Sequence, residues 1–302
     1  MVLALLVPPL RMILLMVVGT LIPVPLVLLY LHRGKTTGLI GITAVALSLW
    51  FLMGPAMAIG FITMYGVVAA ALAEATRLSL SFQKTIAVST LAPAVLSLMV
   101  LLAGFAGTDG PILEELERTF MSAADSSLQA LQDAGESPQR IGEIRKSMEE
   151  TVPVLVQLLP AILLTGYLMG AVINFLAVRF LWRKFYSHQY FEGMDVSRWM
   201  LSDGMVWILI ASLATLFVGS GFSLAVGMNL SIVFVYLYLL QGLAVVTFIL
   251  KAKAMPKWVW VIVFVLIPLN PMFLGLVIGI GLFDIWLDFR KIRVMAPPQS
   301  PE

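Results

Sequence analysis

Apolar runs follow one another along almost the whole chain, each ended by proline, glycine or a short basic cluster, and this constrains the fold more than any other feature. They lie at about 2–22, 24–32, 38–53, 56–76, 85–106, 152–181, 204–222, 229–250, 258–268 and 272–289. Crossing a hydrocarbon layer of roughly 30 Å takes about 20 helical residues, so most of these runs read as membrane helices. Composition agrees: of 302 residues, 60% are hydrophobic and 12% charged, whereas soluble domains carry roughly 25% charged residues. Mean hydropathy is +0.99. The expected fold is an all-α integral membrane protein, a polytopic bundle of about 8–10 transmembrane or re-entrant helices with an extracytoplasmic helical hairpin.

Charge sets the expected orientation. The stretch 107–150 holds ten acidic residues against four basic ones, Arg118, Arg140, Arg145 and Lys146. Fourteen other Lys and Arg residues fall in short clusters between or after apolar runs, the pattern of cytoplasmic loops. Hairpin turns at Ile22-Pro23-Val24-Pro25, Gly54-Pro55 and Pro268-Leu269-Asn270-Pro271 would place every basic cluster inside and leave only Arg11 stranded. On that scheme 258–289 is a hairpin rather than one kinked span, both termini are cytoplasmic, and 24–32 and 258–268 are short or re-entrant. Three regions follow: N-terminal transmembrane helices at 1–106, an acidic outer hairpin at 107–150, and C-terminal transmembrane helices at 151–302. The N-terminal run has no preceding basic run and no following cleavage site, so the first helix is expected to stay.

The outer stretch reads as two amphipathic helices. Leu113, Leu116, Phe120, Leu128 and Leu131 recur at near-helical spacing, and Gly135-Glu136-Ser137-Pro138 ends one helix and begins the next. Ser137 is the expected N-cap and Pro138 the first helical residue. Small residues line several runs: Gly66, Ala70 and Ala73; Gly166 and Gly170; Gly275 and Gly279. Small residues four apart let helix backbones approach, so they read first as packing faces and second as docking faces for another membrane subunit.

Many chemistries are excluded. There is no Cys, and His32 and His188 are the only histidines, so no thiol chemistry, disulfide or His/Cys metal site is expected. No Walker loop, dinucleotide fingerprint, His-Glu-x-x-His or serine-nucleophile elbow occurs, and neither enzymatic activity nor a cofactor is expected. Asp284 and Asp288 stand one helical turn apart where the last run leaves the bilayer. Aspartyl catalysis needs two acids converging on one water, normally from two helices, which this spacing does not supply. A salt bridge to Lys291 or to a neighbouring segment, with Arg290 beside them, is the leading reading; an ion or proton site and subunit coupling are the others. Glu74 and Arg77, three apart at the end of the fourth run, read as a local pair. Asn174, Gln241 and Asn229 are polar residues inside apolar runs. They serve either as helix glue or as groups holding a solute.

The tracts Asn229-Leu230-Ser231, Tyr238 through Val246 with its Gln241-Gly242, and Gly281-Leu282-Phe283-Asp284-Ile285-Trp286-Leu287-Asp288-Phe289-Arg290 resemble the YybS-like family of bacterial multi-pass membrane proteins over nearly the full length. That resemblance implies a membrane location but no particular activity. Pro23-Val24-Pro25-Leu26, then Arg33-Gly34-Lys35-Thr36-Thr37-Gly38 and Gly54-Pro55, are similar to the substrate-binding subunits of energy-coupling-factor vitamin transporters. This implies an S-subunit-like core, an outward-opening solute pocket, and partners in the form of a membrane coupling subunit and ATPases. The expected function is that of a solute-binding, transporter-related protein of the bacterial inner membrane with no ATPase of its own. A cell-envelope scaffold binding other envelope proteins is the first alternative and a proton-coupled carrier the second; nucleic acid is not an expected partner.

Overall fold

The computed structural model describes residues 18–107, 110–186, 190–191 and 195–292. All regular structure among them is helical: α1 (Pro23–Arg33), α2 (Lys35–Met53), α3 (Pro55–Phe61), a π turn (Ile62–Gly66), α4 (Val67–Arg77), α5 (Phe82–Gly104), α6 (Ile112–Asp133), α7 (Pro138–Phe185), a 3-10 turn (Val196–Arg198), α8 (Met205–Val218), α9 (Gly221–Ala252), α10 (Lys257–Leu269) and α11 (Pro271–Leu287). Most apolar runs from 24 onward correspond to one of these helices or to part of one; 56–76 is divided among α3, the π turn and α4, and 204–222 runs past α8 into the start of α9. Run 2–22 lies largely outside the described residues, as do Arg11, His188 and Arg293. Among the described residues, five helical stretches are long and apolar enough to cross a membrane, or six if α10 and α11 together form one broken span. This is an all-helical, polytopic membrane architecture.

Two compact units divide the chain, Met1–Glu74 with Ala87–Phe180 and Ala75–Ile86 with Leu181–Glu302. In the first unit the proline break after Ile22 does not reverse the chain, contrary to the expected hairpin. Val18–Arg33 runs as one apolar helical stretch. Pro23 brings no N–H, yet its fixed φ suits a first helical position, and Ile22 stays right-handed at φ −53°. Leu21 and Ile22 donate three residues back, to Val18 O (3.1 Å) and Gly19 O (3.2 Å), tightening the turn instead of breaking it. True breaks fall at Gly34 and Gly54, whose φ of 91° and 94° only glycine adopts without strain. Gly38 then sets α2 against α1: a Cβ there would lie 2.5 Å from the Tyr30 side chain.

Ser137 Oγ accepts from Arg140 N (3.3 Å), capping α7 at the expected boundary. Beyond it the chain does something the apolar pattern alone does not convey. No break separates the amphipathic helix from the membrane run; α7 continues for 48 residues, through Pro153 and Pro160, about 72 Å at 1.5 Å per residue. Leu116 packs with Val152, Val156 and Leu159 of α7 and with Leu101 and Phe105 at the end of the α5 segment. Leu128 is buried too, whereas Leu113, Phe120 and Leu131 remain exposed. Arg145 pairs with Asp125 at 2.7 Å, tying α6 to α7.

The second unit is built around α9, which packs against both α8 and α11. Its closest approach is backbone to backbone. A Cβ at Gly242 would collide with the Val277 carbonyl oxygen, and one at Gly281 with the Tyr238 carbonyl oxygen. The glycines expected to make such contacts, Gly275 and Gly279, have nothing within 4 Å of a built Cβ. α10 and α11 meet at 104°, intermediate between the expected hairpin and a single kinked span. Pro268 and Pro271 remove backbone donors there, and extended Asn270 caps α11 by accepting from Met272 N at 2.9 Å.

Gly242→Ala and Gly281→Ala should each destabilise the second unit by about 1–3 kcal/mol, the usual cost of overpacking. Gly275→Ala should be neutral. Thermal midpoints of the purified protein in detergent report the difference, and equal midpoints for all three variants would contradict the α9–α11 contact.

Candidate functional site

Two polar constellations stand out, one in each unit. The first surrounds a cavity of about 450 Å³ bounded by Gly19, Thr20, Pro23, Met64, Tyr65, Val68, Ile162, Leu163, Gly166, Tyr167, Gly170 and Asn174. The π turn Ile62–Gly66 supplies Met64 and Tyr65 to this wall. Single π turns inside α-helices recur at functional sites because the extra residue re-aims neighbouring side chains. Thr63, within that turn, donates its hydroxyl back to Ile59 O and Gly60 O, both 3.0 Å. On the opposing helix Gly166, Gly170 and Asn174 recur every four residues and therefore share one face of α7. Neither glycine would bring a Cβ within 4 Å of another group. The expected packing stripe at Gly166 and Gly170 is thus the bare wall of a cavity.

Asn174 closes this stripe and is 1% exposed. Its Nδ2 donates to Thr20 O (2.9 Å) and to Gly170 O (2.7 Å), while its Oδ1 is buried without a hydrogen-bond partner among the described residues. Tyr167 shares a 2.6 Å hydrogen bond with Ser97 Oγ and directs its hydroxyl toward Thr63 O at 3.5 Å. The polar end of Tyr167 is thereby occupied.

The second constellation is a buried ion pair. Arg290 Nη2 donates to Asp284 Oδ2 at 2.5 Å, both side chains being fully buried. Arg290 Nη1 donates to Ser197 O (2.8 Å) and Trp199 O (2.7 Å). Gln241 joins the same group, donating through Nε2 to Asp284 Oδ2 (3.3 Å) and accepting from Leu201 N at Oε1 (3.0 Å). The cation serving Asp284 is therefore Arg290, not Lys291. Asp288 does not continue the helix beside Asp284. It is the α11 C-cap at φ 40° and ψ 56°, accepts from Ile292 N at 2.9 Å, and reverses the chain so that Arg290 returns to Asp284. The two carboxylates engage different partners, Asp284 the Arg290 and Gln241 side chains and Asp288 the Ile292 N–H.

Beside this pair, Asp195 accepts from Lys251 Nζ (2.6 Å), Ser197 Oγ (2.7 Å) and Ser197 N (3.1 Å). Burial pushes its carboxyl up, but these hydrogen bonds and the Lys251 charge outweigh burial and hold it at about 2.

The remaining sequence candidates lie elsewhere. Glu74 Oε2 accepts from the Tyr30 hydroxyl (2.5 Å) and Glu74 Oε1 faces Lys35 Nζ at 3.6 Å. Arg77 ends α4 with its side chain exposed. Asn229 Nδ2 donates to Ala225 O one turn back on its own helix. Of the three polar residues considered for a solute, only Asn174 lines the cavity; Gln241 belongs to the other unit. Sequence reading passed over Thr20, Met64 and Tyr65, which carry no distinguishing pattern, and the Asp195–Lys251 pair. One signal was present: Gly166, Gly170 and Asn174 form a single stripe at four-residue spacing.

A family model described as "predicted membrane protein (DUF2232)" matches residues 1–285. No curated protein and no solved structure matches the chain.

Arg290→Met leaves the Asp284 carboxylate buried and unpaired, and should cost about 3–5 kcal/mol. Adding Asp284→Leu should recover much of this while leaving Ser197 O and Trp199 O without their donor; thermal melting in detergent separates single from double variant. Asp195 gives a pH signature. Its folded-state value lies below the unfolded one, so its contribution is complete above about pH 4 and is lost as pH falls toward about 2. The gap in melting midpoint between the parent protein and Asp195→Asn should close over that interval.

Proposed function

The chain belongs to the DUF2232 family of membrane proteins, and on that premise we propose that it is a solute-binding component of a bacterial cytoplasmic-membrane transport system. The observation that carries this reading is the cavity at Asn174. Its volume of about 450 Å³ falls in the range of small-molecule sites, and its mainly apolar wall with few polar groups matches their usual make-up. The lack of any nucleotide-binding motif fits a component energised by partner ATPases through a membrane coupling subunit. The distribution of basic clusters favours cytoplasmic termini and an outer position for 107–150. The resemblance of Pro23 through Pro55 to energy-coupling-factor substrate-binding subunits points the same way.

A scaffold role in the cell envelope is the second reading. It is favoured by α6 and the polar start of α7, which together carry eight of the chain's 17 acidic residues and leave Leu113 and Phe120 exposed. The buried pair at Asp284 suits a structural lock better than the proton site of a carrier, because Arg290 and Gln241 both engage its Oδ2.

Native mass spectrometry of the protein purified from its own membranes tests the choice. A small molecule released on denaturation, with a coupling subunit and ATPases retained, is the expected result. A stable complex with envelope-synthesis proteins and no small molecule would overturn it. Since the chain has no Cys, Pro111→Cys should react with an impermeant maleimide in intact cells and Lys257→Cys should not.

A further inference from the structure

We propose that Asp288–Lys291 is a strained latch and 195–201 the strap it holds, together a two-state lid over the buried Gln241 and Asp284 side chains. Strap, latch and side chains all belong to the second unit, and the proposal is independent of the solute-binding reading. Between the 3-10 turn Val196–Arg198 and α8 the strap forms no helix. It is held instead by side chains from elsewhere. Arg290 donates to Ser197 O and Trp199 O, Gln83 Nε2 donates to Met200 O at 3.2 Å, and Gln241 Oε1 accepts from Leu201 N. Phe82 meets the Trp199 ring edge-on at a centroid distance of 6.1 Å, and Lys251 holds Asp195 where the strap begins. Bonds to separate side chains lack the cooperativity of a helical ladder, so such a segment opens locally while the helices around it stay folded.

The backbone of the latch supplies the second state. Four non-glycine residues among the described residues have φ in the left-handed region, and two of them, Asp288 at 40° and Lys291 at 51°, flank Arg290. An L residue there brings its Cβ toward the following carbonyl oxygen, and aspartate tolerates this better than lysine. Lys291 N donates to Asp288 O at 2.8 Å, so the turn closes on itself and carries Arg290 back over Asp284. Strained residues persist only where surrounding contacts over-determine them, and they cluster at switch regions. Here those contacts are the bonds of Arg290 to Asp284, Ser197 O and Trp199 O; when they part, the turn relaxes. Release also takes the Leu201 N–H from Gln241 Oε1 and the guanidinium from Asp284 Oδ2. Both side chains are 0% exposed in the latched state. Leaving such acceptors dry is costly, so the released state is one in which water reaches them.

Hydrogen–deuterium exchange of the full-length protein in nanodiscs tests the lid. Lys291 is exposed, so its side chain can be changed without touching any bond of Arg290. Lys291→Asn and Lys291→Val remove the same charge and differ in their tolerance of left-handed backbone. Asn is favoured there and should slow exchange across 195–201 severalfold; Val, which is β-branched, should speed it about tenfold. Exchange across 234–245 of α9 should stay unchanged in both variants and slower than in the strap. Arg290→Lys keeps a positive charge for Asp284 but loses the fork that also reaches two carbonyls, and should speed strap exchange about tenfold. Equal strap exchange in the Asn and Val variants would overturn the proposal. So would a parent strap that exchanges no faster than α9, or an Arg290→Lys variant in which strap and α9 speed up together, since either makes the strap part of one cooperative core.

Discussion

The second unit depends on one contact, the backbone-to-backbone approach of α9 and α11 at Gly242 and Gly281. In lipid there is little hydrophobic drive to bring apolar helices together, so close packing must supply it. The absence of side chains at these two positions lets each helix rest on a carbonyl of the other. The polar network follows from that closeness. Gln241 is the neighbour of Gly242 on α9, and Asp284 lies nearly one turn beyond Gly281 on α11. Once the glycines touch, the carboxamide and the carboxylate fall within 3.3 Å. Asp288 then turns the chain and Arg290 closes over the pair. Its second nitrogen gathers the carbonyls of Ser197 and Trp199, so the segment before α8 is fastened to the helix pair.

Such a lock is weak evidence for stability as such, since desolvating two charges offsets most of what their attraction returns. Its geometric consequence is clearer. The same few side chains satisfy backbone groups of a non-helical segment, Ser197 O, Trp199 O and Leu201 N, that would otherwise be stranded away from water. Irregular backbone near the membrane survives only where protein groups take over the role of solvent, and here they are Arg290 and Gln241.

Glycine serves an opposite purpose in the first unit, and this is where sequence and structure part. The positions of the apolar runs translated directly into helices because length and hydropathy are one-dimensional properties. Ser137 and Pro138 marked the start of α7 for an equally local reason. Whether a small-residue stripe closes on a neighbour or faces empty space depends on the partner helix, which no local pattern contains. Gly166 and Gly170 therefore read as a packing face and turned out to line a cavity, while Gly242, noted only within a family tract, makes the closest contact. The prolines misled in a related way. Pro23 looked like a hairpin turn but sits at a position where a missing N–H costs nothing, so the helix passes through it.

The paired aspartates show how far chemistry can be inferred from spacing. A four-residue interval places two side chains on one face only while the helix persists, and Asp288 is the residue at which it stops. In the left-handed conformation its carboxylate is committed to Ile292 N, and Asp284 is left to meet a cation from the returning chain. Arg290 reaches it because of that reversal; had the helix run on, positions 284 and 290 would face directions about 120° apart around the axis. The tract Asp284 to Arg290 is thus a clasp anchored outside itself, by Arg290 on Ser197 O and Trp199 O and by Gln241 on Asp284, and within it Asp284 Oδ1 and Arg290 Nε have no hydrogen-bond partner among the described residues.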